Sequence, residues 1–476
     1  MKLPGQKTKI VATLGPASAN ERTLAAMARA GLSVVRLNMS HGSLESHAQN
    51  IRLVRRVAER LKKPLSILMD LPGPKIRLGK LAQEPISLKR GEEIVFTTRS
   101  REAGQGVIPV DFKRLPQSVK PGGLIYLNDG FIQLKVLSVR GPQVKCRVLV
   151  GGQTRSRKGM NLPGSKVLAG AVTKRDLEFV DFGLKHGVVI FGVSFVEDAE
   201  DIRRLKSHCR RSGKTVYAVA KIERPEAVAN LGGILKEADA VMVARGDLGV
   251  EIPIHRVPVV QKEIVRQANV AGRPVITATQ MLLSMVDSIR PTRAEAADVA
   301  NAIMDGTDAV MLSEETAVGR YPVRAVAMMA AIARDAEGHR EQGLSAGEVE
   351  TALREAAGHD GISIEDAVSL AAVEMQKSLD IGCILAPTRT GSTPRRISRL
   401  KPKAWVLGLS ASPEIREFMQ LSYGVHPVRF QTRKTGGVSE MANDAVRLGA
   451  VRKGRRVLLA EGSAGGTTDI LRVIAP

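Results

Sequence analysis

The sequence predicts an α/β chain built on a (β/α)8 barrel (the TIM-barrel class) that carries an inserted all-β lid unit and a C-terminal α/β unit. Three observations carry that reading. Eight short apolar runs alternate with amphipathic helical stretches. About 95 residues of different texture separate the third run from the fourth. Strand–helix alternation resumes after a charged stretch that follows the eighth run.

The eight runs are KIVATL (9–14), SVVRLN (33–38), SILMDL (66–71), GVVIFGVSF (187–195), TVYAVAKIE (215–223), AVMVARGD (240–247), PVITATQ (274–280) and DAVMLSEE (308–315). Unbroken apolar runs of this length suit parallel strands buried on both faces. The helices between them carry start and stop signals. Thr173 followed by Asp176 reads as a capping box before LEFVDFGLKHG, and Ser18–Asn20 precede ERTLAAMARAG, which closes on Gly31. Eight strands with right-handed helical crossovers close into a barrel.

In the insertion, EEIVFTT, GLIYLND, FIQLKVLSV and QVKCRVLV alternate between turn residues, the pattern of antiparallel strands. It leaves the barrel at the C-terminal end of the third strand, where it can cover the catalytic mouth. After the helix YPVRAVAMMAAIARDAEGHR, residues 337–362 read as a boundary. Beyond it, IEDAVSLAAVEMQKS reads as a helix and IGCILAP, AWVLGLS, GVHPVRF, RRVLLAEG and DILRVIA as strands. The expected division is barrel at 1–71 and 169–340, lid at 72–168 and C-terminal unit at 345–476.

Composition narrows the function classes. The apolar content of 43% is ample for a core, and no run of about 18 apolar residues suggests a membrane span. MKLPGQKTKIVATLGP lacks the apolar segment and cleavage site of a secretory signal. Cys146, Cys209 and Cys383 lie far apart and without metal-ligand spacing, which suits a reducing compartment, so a cytoplasmic location is expected. The 71 basic and 48 acidic residues leave a net charge of +23. A nucleic-acid partner would use such charge, but aromatics are only 3% and the basic residues are spread through the chain. A diffuse positive field attracts phosphorylated metabolites equally well.

In this barrel the active site gathers where strands end. The polar residues there are Arg36, Asn38, Asp70, Ser194, Lys221, Glu223, Arg245, Asp247, Thr279, Ser313 and Glu315. Lys221 and Glu223 are two apart and share one side of a strand. Glu223 and Asp247, from neighbouring strands, form either an oxygen site suited to Mg²⁺ or a Lys–Glu–Asp ion-pair cluster. Arg36, Arg77 and Lys158 are cations able to neutralise a transferring phosphoryl group, although Arg77 and Lys158 read equally as surface charge. The Thr279 and Ser313 hydroxyls can pass a proton or merely satisfy strand-end carbonyls. In the C-terminal unit Thr388, Arg389, Thr390, Gly391, Ser392 and Thr393 follow a strand and precede PRRISRL, so they form either a phosphate-holding loop or a plain turn.

KIVATLGPAS, VVRLNMSHG, DLPGPKIR, RKGMNLPG, AKIER, MVARGDLGVE, ITATQMLLSM, RPTRAEAADVANAIMDGTDAVMLSEETAVGRYPV and GTTDILRV together resemble the pyruvate kinase family over essentially the whole chain. The resemblance implies transfer of a phosphoryl group from phosphoenolpyruvate to ADP, giving pyruvate and ATP at the end of glycolysis. It implies that Lys221 stabilises the group in transit and that Glu223 and Asp247 hold Mg²⁺, with Mn²⁺ as a substitute. By the same resemblance the amides of Gly246 and Asp247 with Thr279 bind the carboxylate, and Arg36 contacts substrate. Asn38, His41, Arg77 and Lys158 face the nucleotide. Thr279, Ser313 or a water between them protonates the enolate. Residues 388–393, with GSAGGTT (462–468) nearby, hold the phosphate of an activator such as a sugar monophosphate or AMP. The assembly implied is a homotetramer.

One departure stands out. Asn38, Ser40 and Asp70 match the family's K⁺ ligands, but DLPGPK places Lys75 where potassium-dependent members carry glutamate. This resembles the bacterial, potassium-independent subgroup, so Mg²⁺ is expected to be required and K⁺ not. The nearest enzyme alternative is a Mg²⁺-dependent lyase or aldolase working through a pyruvate enolate. The alternative outside catalysis is a phosphate- or nucleic-acid-binding protein with a dead barrel.

Overall fold

The computed structural model describes residues 3–99, 104, 106–128, 130–164, 170–339, 346–358, 361–430, 437–462 and 467–475. Eight parallel strands close the barrel: β1 (Lys9–Thr13), β2 (Leu32–Asn38), β3 (Ser66–Asp70), β4 (Ile190–Val193), β5 (Tyr217–Ile222), β6 (Ala240–Ala244), β7 (Val275–Ala278) and β8 (Ala309–Leu312). Each pairs with its neighbours in chain order, and β1 returns to β8 through the Lys9–Ala309 to Ala12–Leu312 register.

Alternation of side chains sorts the apolar residues into two layers. Val11, Val34, Leu68, Ile190, Val219, Met242, Ile276 and Met311 fill the barrel, while Ile10, Val35, Ile67, Phe191 and Val241 face the helices. The helices begin where short polar side chains satisfy free amides. Asn20 caps Glu21–Ala30 by accepting from the Thr23 amide, and Gly31 ends that helix at φ 130°. The expected box at Thr173 and Asp176 is present, and Thr292 with Glu295 forms another.

The strands stop short of the apolar runs. β6 ends at Ala244 because Arg245–Glu251 turns at once into a helix, and β8 ends at Leu312 before the helix Glu314–Ala317. Asp247 and Glu315 therefore project from short helices above the barrel and not from strand ends.

The insertion forms a seven-stranded sheet in the order Ile76–Arg77, Gly159–Asn161, Leu124–Leu127, Ile132–Arg140, Gln143–Val150, Glu93–Thr97 and Val107–Pro109, with a small sheet of Gly152–Thr154 on Ile86–Leu88 beside it. The strands of two or three residues escape sequence reading because so short a run has no period. The C-terminal sheet runs Val425–Arg429, Trp405–Ser410, Cys383–Pro387, Val457–Gly462 and Thr468–Ile474, parallel except for the last pair. Residues 346–357, within the stretch read as a charged boundary, form a helix. No helix among the described residues is long and apolar enough to cross a membrane.

The C-terminal unit plugs the N-terminal end of the barrel. Phe418 stacks on Tyr217, the first residue of β5, with centroids 4.1 Å apart and planes 2° apart. Lys9 is buried in the same junction, where its ammonium donates to the Val425 carbonyl at 2.6 Å and lies 5.4 Å from the Trp405 ring. Burial, and secondarily the Lys63 charge, pushes the Lys9 pKa down from 10.5 to about 7. The unfolded chain keeps this proton to higher pH than the folded one, so this group makes stability rise as pH climbs above 7, by up to about 1.4 kcal/mol per pH unit. The wild-type melting temperature is therefore expected to gain on that of Lys9→Met as pH is raised from about 7 to about 9. A constant difference over that range would refute a neutral buried Lys9.

Candidate active site

The β2–β3 register sets Asn38 opposite Asp70, and the alternation along β2 puts Arg36 and Asn38 on the same face. Arg36 donates through Nε to Asp70 Oδ2 at 2.7 Å and through Nη1 to Thr13 Oγ1 at 3.0 Å. Across the barrel mouth, Lys221 Nζ lies 3.2 Å from Asp70 Oδ1 and 2.9 Å from Glu223 Oε1, and donates to Ser194 Oγ at 2.6 Å. Ser194 in turn donates to the Leu71 carbonyl at 2.7 Å.

The charges in this array are buried, so pairing decides their state. Burial would push the Lys221 ammonium down, but Asp70 and Glu223 outweigh it and hold the pKa above its ordinary value. Burial likewise works to raise Asp70, yet Lys221 and Arg36 pull its pKa below the usual carboxylate range. Glu223 goes the other way. Its complete burial, reinforced by the Asp247 charge, exceeds the help of Lys221 and pushes its pKa up. Two carboxylates share one ammonium, and Arg36 tips the balance toward Asp70.

The Glu223 carboxylate fits a divalent cation. Oε2 accepts from the Phe195 amide at 2.7 Å, whereas Oε1 is buried without a well-directed hydrogen bond among the described residues and lies 2.9 Å from the Lys221 ammonium. Among the described residues no cluster of three or more His, Cys, Asp or Glu could hold a metal. Two carboxylates are what Mg²⁺ asks of a protein when substrate and water fill its other positions. Asp247 is near enough for its charge to act on Glu223, and its Oδ1 meets Lys75 Nζ at 3.0 Å.

On the next strand the backbone is strained. Thr279 and Gln280 have φ of 70° and 53°, values that cost non-glycine residues energy and that collect at functional sites. Thr279 Oγ1 accepts from the Gly246 amide at 2.8 Å and donates to the Ala278 carbonyl at 2.6 Å. Arg245 braces this turn, donating to the Ala278 and Thr279 carbonyls at 3.2 and 2.8 Å and to Asp298 at 2.7 Å. Ser313 is held through its amide, which donates to Glu315 Oε2 at 2.7 Å, while Oε1 of that buried carboxylate accepts from the Leu282 amide.

The nucleotide-side candidates form a looser group. His41 has a lowered pKa, first from burial and then from Arg77, Arg36 and Lys75, so those three cations converge on it. Arg77 donates to the Arg157 carbonyl at 3.1 Å, and its strand pairs it with Gly159. Lys158 lies beside that pair with an exposed side chain and does not join the buried array. Asn38 Oδ1 accepts from the Ser40 amide at 3.1 Å, so both lie at the mouth beside Asp70.

In the C-terminal unit the 388–393 loop turns through Gly391 at φ 77°. The Gly391 amide donates to Thr388 Oγ1 at 2.8 Å and Thr390 Oγ1 to Ser392 Oγ at 3.0 Å, while Thr393 bonds Thr468 of the edge strand. Arg389 is exposed. Residues 463–466 of the neighbouring GSAGGTT segment lie outside the described residues.

The sequence alone assigned no role to four residues of the mouth. Ser194, Arg245 and Glu315 were visible as polar strand ends, but their partners come from other strands. Thr13, which holds Arg36, ends β1 and its position was the signal.

The chain is similar to known proteins along its whole length. Residues 5–326 match the pyruvate kinase barrel domain and residues 366–474 the pyruvate kinase alpha/beta domain. The chain is 46% identical over 473 residues to a pyruvate kinase of Thermococcus litoralis, covering 98% of each chain. It is 38% identical over 477 residues to that of Clostridium acetobutylicum, covering 98% of this chain and 99% of that one. The crystal structure of a pyruvate kinase from Cryptosporidium parvum superposes with a TM-score of 0.91 at 33% identity, over 99% of this chain and 96% of that one. With both domain models matched and these two relatives aligned end to end, the chain belongs to the pyruvate kinase family of phosphotransferases.

Proposed function

We propose that the chain transfers the phosphoryl group of phosphoenolpyruvate to ADP in a Mg²⁺-dependent reaction, giving pyruvate and ATP as the final step of glycolysis. The observation that carries this reading is the buried Lys221 ammonium held among Asp70, Glu223 and Ser194. A fixed cation in a water-poor site stabilises charge that develops during reaction far better than a solvated one.

The positions of the mouth residues support the following roles. Thr279 and the amides of Gly246 and Asp247 hold the substrate carboxylate, which the Arg245 brace keeps in register. Arg36 and Lys221 bracket the transferring group, and Asn38, His41, Arg77 and Lys158 lie toward the nucleotide. The family normally uses a divalent metal. Glu223 and Asp247 would hold Mg²⁺ (or Mn²⁺ in its place), which would supply neutralisation of developing negative charge. The Thr279 hydroxyl, bonded here to the Ala278 carbonyl, turns to donate to the substrate carboxylate, so the enolate proton is delivered from the Ser313 side, directly or through water.

Asn38, Ser40 and Asp70 correspond to the family's K⁺ ligands. Asp70 is already paired with Arg36 and Lys221, and Lys75 adds a further cation at the mouth. K⁺ is therefore dispensable in this reading. We divide the chain into barrel (1–71 and 169–340), lid (72–168) and regulatory unit (345–476), whose 388–393 loop takes the phosphate of a sugar monophosphate or AMP as activator. A cytoplasmic homotetramer fits the family, and Ile254 and Val259, exposed by 72% and 69%, offer apolar surface for a second subunit.

Three outcomes test these roles. Lys221→Met should lower kcat by about 10³-fold while phosphoenolpyruvate still binds; a fall confined to KM would show that the lysine only binds substrate. At matched ionic strength, pyruvate formation should be equal with and without K⁺, and Lys75→Glu should introduce a K⁺ requirement. Strong K⁺ activation of the wild type would overturn the internal-cation reading. Ser392→Asp should abolish activation by phosphorylated metabolites with the basal rate retained; unchanged activation by each of them would remove the loop as effector site.

A further inference from the structure

Lys75 stands at the root of the lid, one residue before the strand Ile76–Arg77, whereas Asp247 lies on the barrel helix Arg245–Glu251. Their contact, Nζ to Oδ1 at 3.0 Å with side chains 24% and 22% exposed, therefore bridges lid and barrel. The lysine stem is accommodated by Gly159 of the lid, where a Cβ would come within 3.1 Å of Lys75 Cε. Among the described residues Asp247 has no other ion pair. The second carboxylate at the mouth, Glu223, is wholly buried and answered by Lys221.

We propose that Lys75 is a tethered competitor of the catalytic metal, an inference that rests on the reading of Glu223 and Asp247 as its ligands. The ammonium takes the Asp247 oxygen that a divalent cation needs. A cation binding there must displace Lys75 as well as bear its repulsion, so the free enzyme binds metal weakly. The displaced ammonium stays tethered at the mouth, where an anionic substrate gives it a new partner. Substrate thus stabilises the state in which Asp247 is free, and metal and phosphoenolpyruvate favour each other's binding, as linkage requires.

The test is Mn²⁺ binding to the full-length chain, read from the electron paramagnetic resonance signal of free Mn²⁺ without turnover. Lys75→Met is expected to bind Mn²⁺ alone about tenfold more tightly than the wild type, a gain of about 1.4 kcal/mol. Phosphoenolpyruvate should tighten Mn²⁺ binding less in that variant than in the wild type. Lys75→Arg, which keeps the charge, should stay near the wild type. Glu223→Gln separates this inference from the one beneath it. Loss of Mn²⁺ binding in Glu223→Gln together with an unchanged affinity in Lys75→Met overturns the competition and leaves the metal site standing. Undiminished binding in Glu223→Gln overturns the metal site, and the competition with it.

Discussion

The active mouth depends on one buried ammonium. Lys221 reaches Asp70, Glu223 and Ser194, which come from three different stretches of chain and are fixed relative to one another only by barrel closure. Removing Lys221 would leave the buried Glu223 carboxylate without its cation, a far larger penalty than loss of a surface ion pair. The array therefore constrains the sequence around it. Arg36 must hold Asp70, Thr13 must hold Arg36, and Ser194 must close on the Leu71 carbonyl.

The polar array at the mouth rests on an apolar barrel. Its interior is filled by apolar side chains, and its lower end is closed by Phe418 against Tyr217 and by Leu421. Tyr217 opens the same strand that carries Lys221 near its other end. The C-terminal unit thus rests against the base of the strand that holds the central cation. Above the mouth, Asn161 of the lid reaches Glu251 and Lys75 reaches Asp247, so the lid contacts the helix that supplies the second carboxylate.

Much of this was legible in the chain. The eight barrel strands, the capping box at Thr173 and Asp176, the helix Ile364–Ser378 and the strand Gln143–Val150 all follow from periodicity and local polar chemistry. Less was legible where elements are short or where tertiary packing overrides composition. Ile76–Arg77 becomes a strand only by pairing with Gly159–Asn161, which in turn pairs with Leu124–Leu127, and the helix at 346–357 lies in a stretch whose charge reads as a boundary. The polar residues at the mouth were visible as strand ends. Arg245 and Glu315, however, carry no local mark that distinguishes a brace from a solvated side chain.

By itself the sequence determined the element order, the apolar faces and the family, because these reside in local pattern and in motifs read along the chain. Only the tertiary structure decided how the charges are shared: that Asp70 takes Arg36 and part of Lys221, that Glu223 keeps an oxygen free of directed hydrogen bonds, and that Lys75 lies on Asp247. The physical reason is distance. Ion pairing and desolvation change over a few ångströms, and separations of that size between residues 70, 221 and 247 exist only once the barrel has closed.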